Sequence, residues 1–206
     1  FTGYTLSTAG SLGTTTGNTT VAAATMAGTG TVNSLRFVEA QAYTLTNTGT
    51  WTLTSGGILV GSAAGAVTNV ITGGTMTAGA TNLVVHQHAA AGLLQIDSVL
   101  SGSGGLTKTG AGALSLGGDA SNTLTGNVQV LQGELRLAKT GAFNAVTGNM
   151  SIASGGSVKY TGTSTNMIAD TGTVSIFGTG LLDLNGMTDT VAALTVNATN
   201  AGVDAD

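Results

Sequence analysis

The 206 residues contain no cysteine and no proline, only 4% aromatic residues and only 7% charged residues. The missing cysteines exclude disulfide stapling and thiol chemistry together. Lys, Arg, Glu and Gln are too few for an ordinary surface helix, and no stretch carries a capped 3.6-residue apolar period. Five Lys and Arg against nine Asp and Glu leave a net charge of -4 with no basic cluster. Nucleic acid is thereby excluded as an expected partner, because phosphate binding is built from grouped cations. The longest apolar runs, such as Ile58 to Val60, are a few residues, so no transmembrane helix is expected.

What the chain has instead is 34 glycines and an abundance of Thr, with Val and Ile beside it. Branching at Cβ favours extended backbone on a pleated surface, which makes the chain all-β. One phrase recurs: Gly, any residue, apolar, any residue, apolar. It starts at Gly49 (Trp51, Leu53), Gly92 (Leu94, Ile96), Gly112 (Leu114, Leu116), Gly133 (Leu135, Leu137), Gly156 (Val158, Tyr160) and Gly180 (Leu182, Leu184), with a weaker copy at Gly74 (Met76). The spacings are 25, 18, 20, 21, 23 and 24 residues. A constant strand signature with variable intervals predicts solenoid coils of about 18–25 residues, since loops lengthen freely while strands must stay stacked. Alternation places two apolar side chains of each copy inside and residues such as Thr50, Thr52, Glu134 and Arg136 outside. Stacking at about 4.8 Å then pairs the strands in parallel around one apolar column.

The expectation is therefore a single domain over residues 1–206, with 1–30 as an atypical first coil or cap. A further coil is expected to start at Gly202, leaving an open C-terminal end. The chain begins at Phe1, and an exported protein beginning so would have lost its signal beforehand.

The stretches LTKTGAGALSL (Leu106 to Leu116), NTLTG (Asn122 to Gly126) and VLQGELRL (Val130 to Leu137) resemble the autotransporter-associated β-strand repeat, also called the passenger-associated transport repeat, of secreted bacterial proteins. NSLRF at Asn33, SGGILV at Ser55, ITGGTMTAG at Ile71 and LDLNGMTDTVAALTV at Leu182 are similar in kind, so the resemblance covers roughly Thr31 to Asn197. It implies a right-handed parallel β-helix located at the cell surface or beyond. The outer-membrane barrel of the autotransporter plan is not among these residues, so self-secretion does not carry over. The family brings no catalytic residues and no cofactor.

Four clusters carry residue types suited to chemistry. His86 and His88 alternate onto one face, a spacing that presents two imidazoles to a metal, with Asp97 the one nearby third ligand; the competing reading is polar side chains on a solvated face. Gly117, Gly118 and Asp119 match a fragment of a calcium-binding nonapeptide, which works by recurrence and here occurs once, so a corner turn is expected. GSGGLTKTGAG (Gly102 to Gly112) carries Lys108 and Thr109 but lacks both the glycine before the lysine and the following helix of a phosphate loop. Asp170, Asp183 and Asp189 converging with Lys159 or Arg136 would suit a polysaccharide-cleaving enzyme, but general acid–base work needs carboxylates held at a defined separation, and sugar platforms are scarce. Asn122, Asn127, Asn185 and Asn197 are expected at corners, in ladders or turns.

The sequence therefore predicts a non-enzymatic extracellular solenoid, without cofactor, whose subunits associate head to tail into a filament or surface fibre. The alternatives are an adhesin or spacer segment of a longer secreted chain, contacting glycans or a cell surface, and a carbohydrate-active enzyme.

Overall fold

The computed structural model of the chain describes residues 4–7, 17–22 and 25–197. Two short strands, β1 (Tyr4–Ser7) and β2 (Asn18–Val21), precede two long ones, β3 (Thr25–Phe37) and β4 (Thr44–Val60). Each long strand crosses three faces, turning its corners at positive-φ glycines, Gly28 and Gly30 in β3 and Gly56 in β4, where the pairing register shifts. A single 3-10 turn at Ser62–Ala64 follows. Beyond it each face has its own strand: β5 (Thr68–Thr72) and β6 (Thr75–Thr77), then β7 (Leu83–Gln87), β8 (Leu93–Ile96) and β9 (Val99–Gly102), then β10 (Leu106–Thr109), β11 (Ala113–Leu116) and β12 (Thr123–Leu124). The last coils carry β13 (Val128–Val130), β14 (Gly133–Leu137), β15 (Met150–Ile152), β16 (Gly156–Tyr160), β17 (Thr173–Phe177), β18 (Leu181–Asp183) and β19 (Ala193–Asn197).

Every pairing among them is parallel and joins one coil to the next. On the first face the register runs Ser34, Gly57, Val84, Thr107, Gln129, Ser151, Ser175, Thr195, in steps of 20 to 27 residues, which is a β-solenoid of about seven turns. β1 and β2 extend that face toward the N-terminus. Within the expected atypical coil or cap over 1–30, residues 1–3, 8–16 and 23–24 lie outside the described residues, as does the expected coil start at Gly202. The second face stacks β5, β8, β11, β14, β16 and β18. The third runs through β6, β9 and β12 and ends on a bridge between Val146 and Ile168.

The glycine phrase marks strand starts, but on two faces. Gly49 and Gly74 open third-face strands, where Trp51 pairs with Met76. Gly92, Gly112, Gly133, Gly156 and Gly180 open second-face strands. The 18-residue interval from Gly74 to Gly92 therefore runs from the third face across the first to the second, and the four later intervals are true coils.

Inward positions align rung upon rung. Leu94, Leu114, Leu135 and Val158 form one fully buried line on the second face, and Leu35, Ile58, Val85, Lys108, Val130 and Ile152 another on the first. No side chain in such a line meets water, so stability grows coil by coil through nearest-neighbour contact. The small-residue interval Ala63 to Ala80 keeps the same plan, with Ile71 and Met76 supplying its core.

Candidate functional site

Of the residues singled out for chemistry, His86 and His88 project from the end of β7 on the first face. Both are exposed, their rings nearly parallel at 14° with centroids 6.0 Å apart. Asp97 lies at the end of the second-face strand β8 and accepts a hydrogen bond from Gln95 Nε2 at 2.7 Å. Among the described residues no three His, Cys, Asp or Glu side chains come together in a group that could hold a metal. Gly118 has φ of +87° and turns the corner between the second and third faces, leaving Asp119 exposed.

The three aspartates diverge. Asp183 pairs with Lys159 at 3.2 Å across β16 and β18, and the Asn185 N–H and this lysine hold its carboxyl below the usual range. Asp189 Oδ2 accepts from the Tyr160 hydroxyl at 2.6 Å and from the Ile168 N–H at 3.0 Å, bracing a corner rather than facing solvent with Asp183. Burial and this carboxylate together raise the Tyr160 phenol well above its ordinary value. Asp170 is exposed and Arg136 pairs with Glu134 on its own strand. Asp170, Asp183, Asp189, Lys159 and Arg136 therefore do not converge on one site as an acid and a base.

Two lysines turn out to be interior. Lys108 is fully buried, and its Nζ donates to the carbonyls of Thr109 at 3.2 Å, Gly110 at 2.7 Å and Gln132 at 3.0 Å. That uses all three donors and ties the corners of two consecutive coils. Lys139, equally buried, makes one hydrogen bond, to Asn122 Oδ1 at 3.1 Å. Burial pushes both amines down to about 8; for Lys139 the charges of Asp97 and Asp119 act in the opposite direction. The signal was in the alternation: Lys108 shares parity with Leu106, and Lys139 with Leu135 and Leu137. Asn122 is also interior, receiving the Leu100 N–H at 3.0 Å and donating to the Ala145 carbonyl at 2.8 Å. Asn185, by contrast, is a turn residue with φ of +51°.

Two open concavities run along the corner between the second and third faces, lined by Thr72, Asp97, Asp119, Thr140 and Thr161 among others. A smaller, mainly apolar trough of about 340 Å³ lies on the first face over Leu35, Ile58 and Leu59, flanked by Arg36 and His86. The largest apolar exposure is at the last rungs. Leu194 and Val196 pair with the inward residues Val174 and Ile176 yet are 56% and 60% exposed, and Leu181 and Phe177 add to the patch. Among the described residues no further coil covers this end of the core column.

No family model matches the chain, and no solved structure matches it. The chain is 36% identical over 93 residues to the "Adhesin BmaC autotransporter" of Brucella suis biovar 1 (strain 1330), a match that covers 45% of this chain and 3% of that protein. The chain is a β-solenoid with distant homology to one stretch of an autotransporter adhesin.

Proposed function

We propose that the chain is a non-enzymatic structural segment of an exported bacterial protein, a solenoid rod whose open end is covered by the first coil of a second copy. The observation that carries this reading is the apolar end face. Leu194 and Val196 occupy core positions, and among the described residues no further coil covers them or pairs with the far edge of β19. A head-to-tail contact of this kind does not close on itself and yields a filament. Export is supported by the adhesin match.

Sedimentation and negative-stain electron microscopy of the purified chain test the stacking. Wild type forms rods that lengthen with concentration, and the double variant Leu194→Lys with Val196→Lys stays at one solenoid length with unchanged far-UV circular dichroism. Wild type that remains single at every concentration refutes end-to-end association.

A second reading is favoured by the adhesin match: the chain is a spacer or adhesive stretch of a longer secreted protein, and the covering coil belongs to the same polypeptide. Its lateral faces then contact a glycan or cell surface. Mass spectrometry of the native secreted protein separates the two readings by its termini. Depolymerisation of a polysaccharide that is lost in Asp183→Asn or Asp189→Asn would overturn both.

A further inference from the structure

Asn122 opens the third-face strand β12, and Lys139 ends the second-face strand region of the following coil after β14. The two are 17 residues apart in sequence and meet inside the solenoid. Lys139 is 0% exposed and Asn122 2%, and Nζ stands 3.1 Å from Oδ1. From this juxtaposition we propose that Lys139 and Asn122 condense into an intramolecular isopeptide bond that staples two consecutive coils.

The two buried lysines make the case by contrast. Lys108 spends its three donors on three carbonyls, an environment built for an ammonium group. Lys139 is equally buried but has a single protein acceptor, which suits a neutral amine better than an ammonium group. Burial pushes both amines down to about 8, so a neutral fraction of Lys139 is present near and above that pH, although Asp97 and Asp119 act against it. A desolvated, deprotonated lysine is a nucleophile.

Its target is held for attack. The Leu100 N–H reaches Asn122 Oδ1 at 3.0 Å, and Nδ2 is anchored on the Ala145 carbonyl at 2.8 Å, so the carboxamide cannot rotate away. The Leu100 N–H also sits on the oxygen where negative charge develops, as an oxyanion donor does. Fixing both reactants in one buried site replaces a bimolecular encounter with an intramolecular one, worth effective molarities on the order of 10⁵ M or more in well-oriented cases.

The step balances without a cofactor or an oxidant. The Nζ lone pair forms a bond to Cγ, and the carbonyl π pair moves to Oδ1. The intermediate collapses with cleavage of the Cγ–Nδ2 bond, one proton passes from Nζ to Nδ2, and ammonia leaves. Asp97 and Asp119 are the carboxylates whose charge reaches Lys139, and neither forms an ion pair with it. In a chain without cysteine this amide is the covalent tie between coils that a disulfide supplies elsewhere.

Intact-mass spectrometry on the purified, folded chain, incubated until its mass is constant, tests the proposal. The expected mass is that of the sequence less one ammonia. Peptide mapping then yields a branched peptide joining the segments that contain Asn122 and Lys139, with no tryptic cleavage after Lys139. Asn122→Ala and Lys139→Met each restore the full sequence mass. Wild type at the full sequence mass overturns the proposal, as does an ammonia loss that maps to a linear asparagine or survives in Lys139→Met. The wild-type mass and map decide the matter alone if either variant fails to fold.

Discussion

Gly155 and Gly156 stand side by side in the turn between β15 and β16, and the structure assigns them opposite reasons for being glycine. At Gly155 φ is +84° and an added Cβ would meet nothing within 4 Å. Gly156 has no such backbone requirement, but its Cβ would stand 2.5 Å from the Val130 carbonyl oxygen, 3.1 Å from that carbonyl's carbon and 3.2 Å from the Ala153 oxygen. Those neighbours are backbone, so relief requires one coil to move by most of an ångström against the next. Gly155→Ala pays only the left-handed penalty of about 1–2 kcal/mol. A gain of about 0.4–1 kcal/mol from a stiffer unfolded chain partly offsets it, leaving about 1 kcal/mol. Gly156→Ala meets an overpacking cost of about 1–3 kcal/mol. The displaced coil also loosens the Gly133–Gly156 register and the lines of core contact on either side, which puts the cost at the top of that range, about 2 kcal/mol or more after the same offset. Urea unfolding followed by far-UV circular dichroism measures both from midpoint and slope. Gly155→Asn provides a control, because asparagine tolerates the left-handed region and should cost less than alanine there. If the two alanine variants are equally stable, or Gly155→Ala is the worse, the argument from coil spacing is wrong.

Further outcomes follow from the same geometry. Leu135→Ala opens a cavity between Leu114 and Val158, both fully buried and fixed in register, so its unfolding free energy should fall by about 3–5 kcal/mol, the upper part of the range for such truncations; a loss below about 1 kcal/mol in urea unfolding would mean that the coils collapse onto the gap. The Tyr160 phenol is raised in the folded chain, so its contribution is intact below about pH 10, where the unfolded phenol titrates, and is lost as pH rises beyond that value. Thermal melts across this range should show wild type losing stability above about pH 10 more steeply than Tyr160→Phe, and equal slopes would refute the assignment. The burial-lowered Lys108 is present in both proteins and cancels from the comparison.

The repeat and the inside-out alternation were legible because they depend on single residues in fixed order. Leu114, Leu116, Leu135, Leu137 and Val158 are all buried where parity places them. Which face a coil phrase belongs to was not legible. Gly74 and Gly92 open the same pattern, yet only pairing with Trp51 on one side and Leu93 with Ala113 on the other reveals that they lie on different faces. Lys108 and Lys139 were hidden by a different conflict. Alternation puts them inside and charge argues for solvent; the outcome turns on carbonyls of Gln132 and a carboxamide of Asn122 that arrive from other coils. The aspartates fail for the same reason, since Asp183 and Asp189 are six residues apart in sequence but are claimed by Lys159 and Tyr160 of the preceding coil. Partners some 20 residues away decide each case, and the local sequence carries no record of them.

The seven-turn parallel register has a mechanical meaning. Hydrogen bonds between coils lie along the rod axis, so tension applied through the two chain ends opens them in series, as a zipper, rather than loading a whole sheet in shear. Each coil released from the first-face register frees 20 to 27 residues, or about 70–90 Å of extended chain at roughly 3.4 Å per residue. Under load such a rod yields in small, repeated, recoverable lengths from its ends inward. An amide between residues 122 and 139 would interrupt that series at one fixed point and shorten the length its coil gives up.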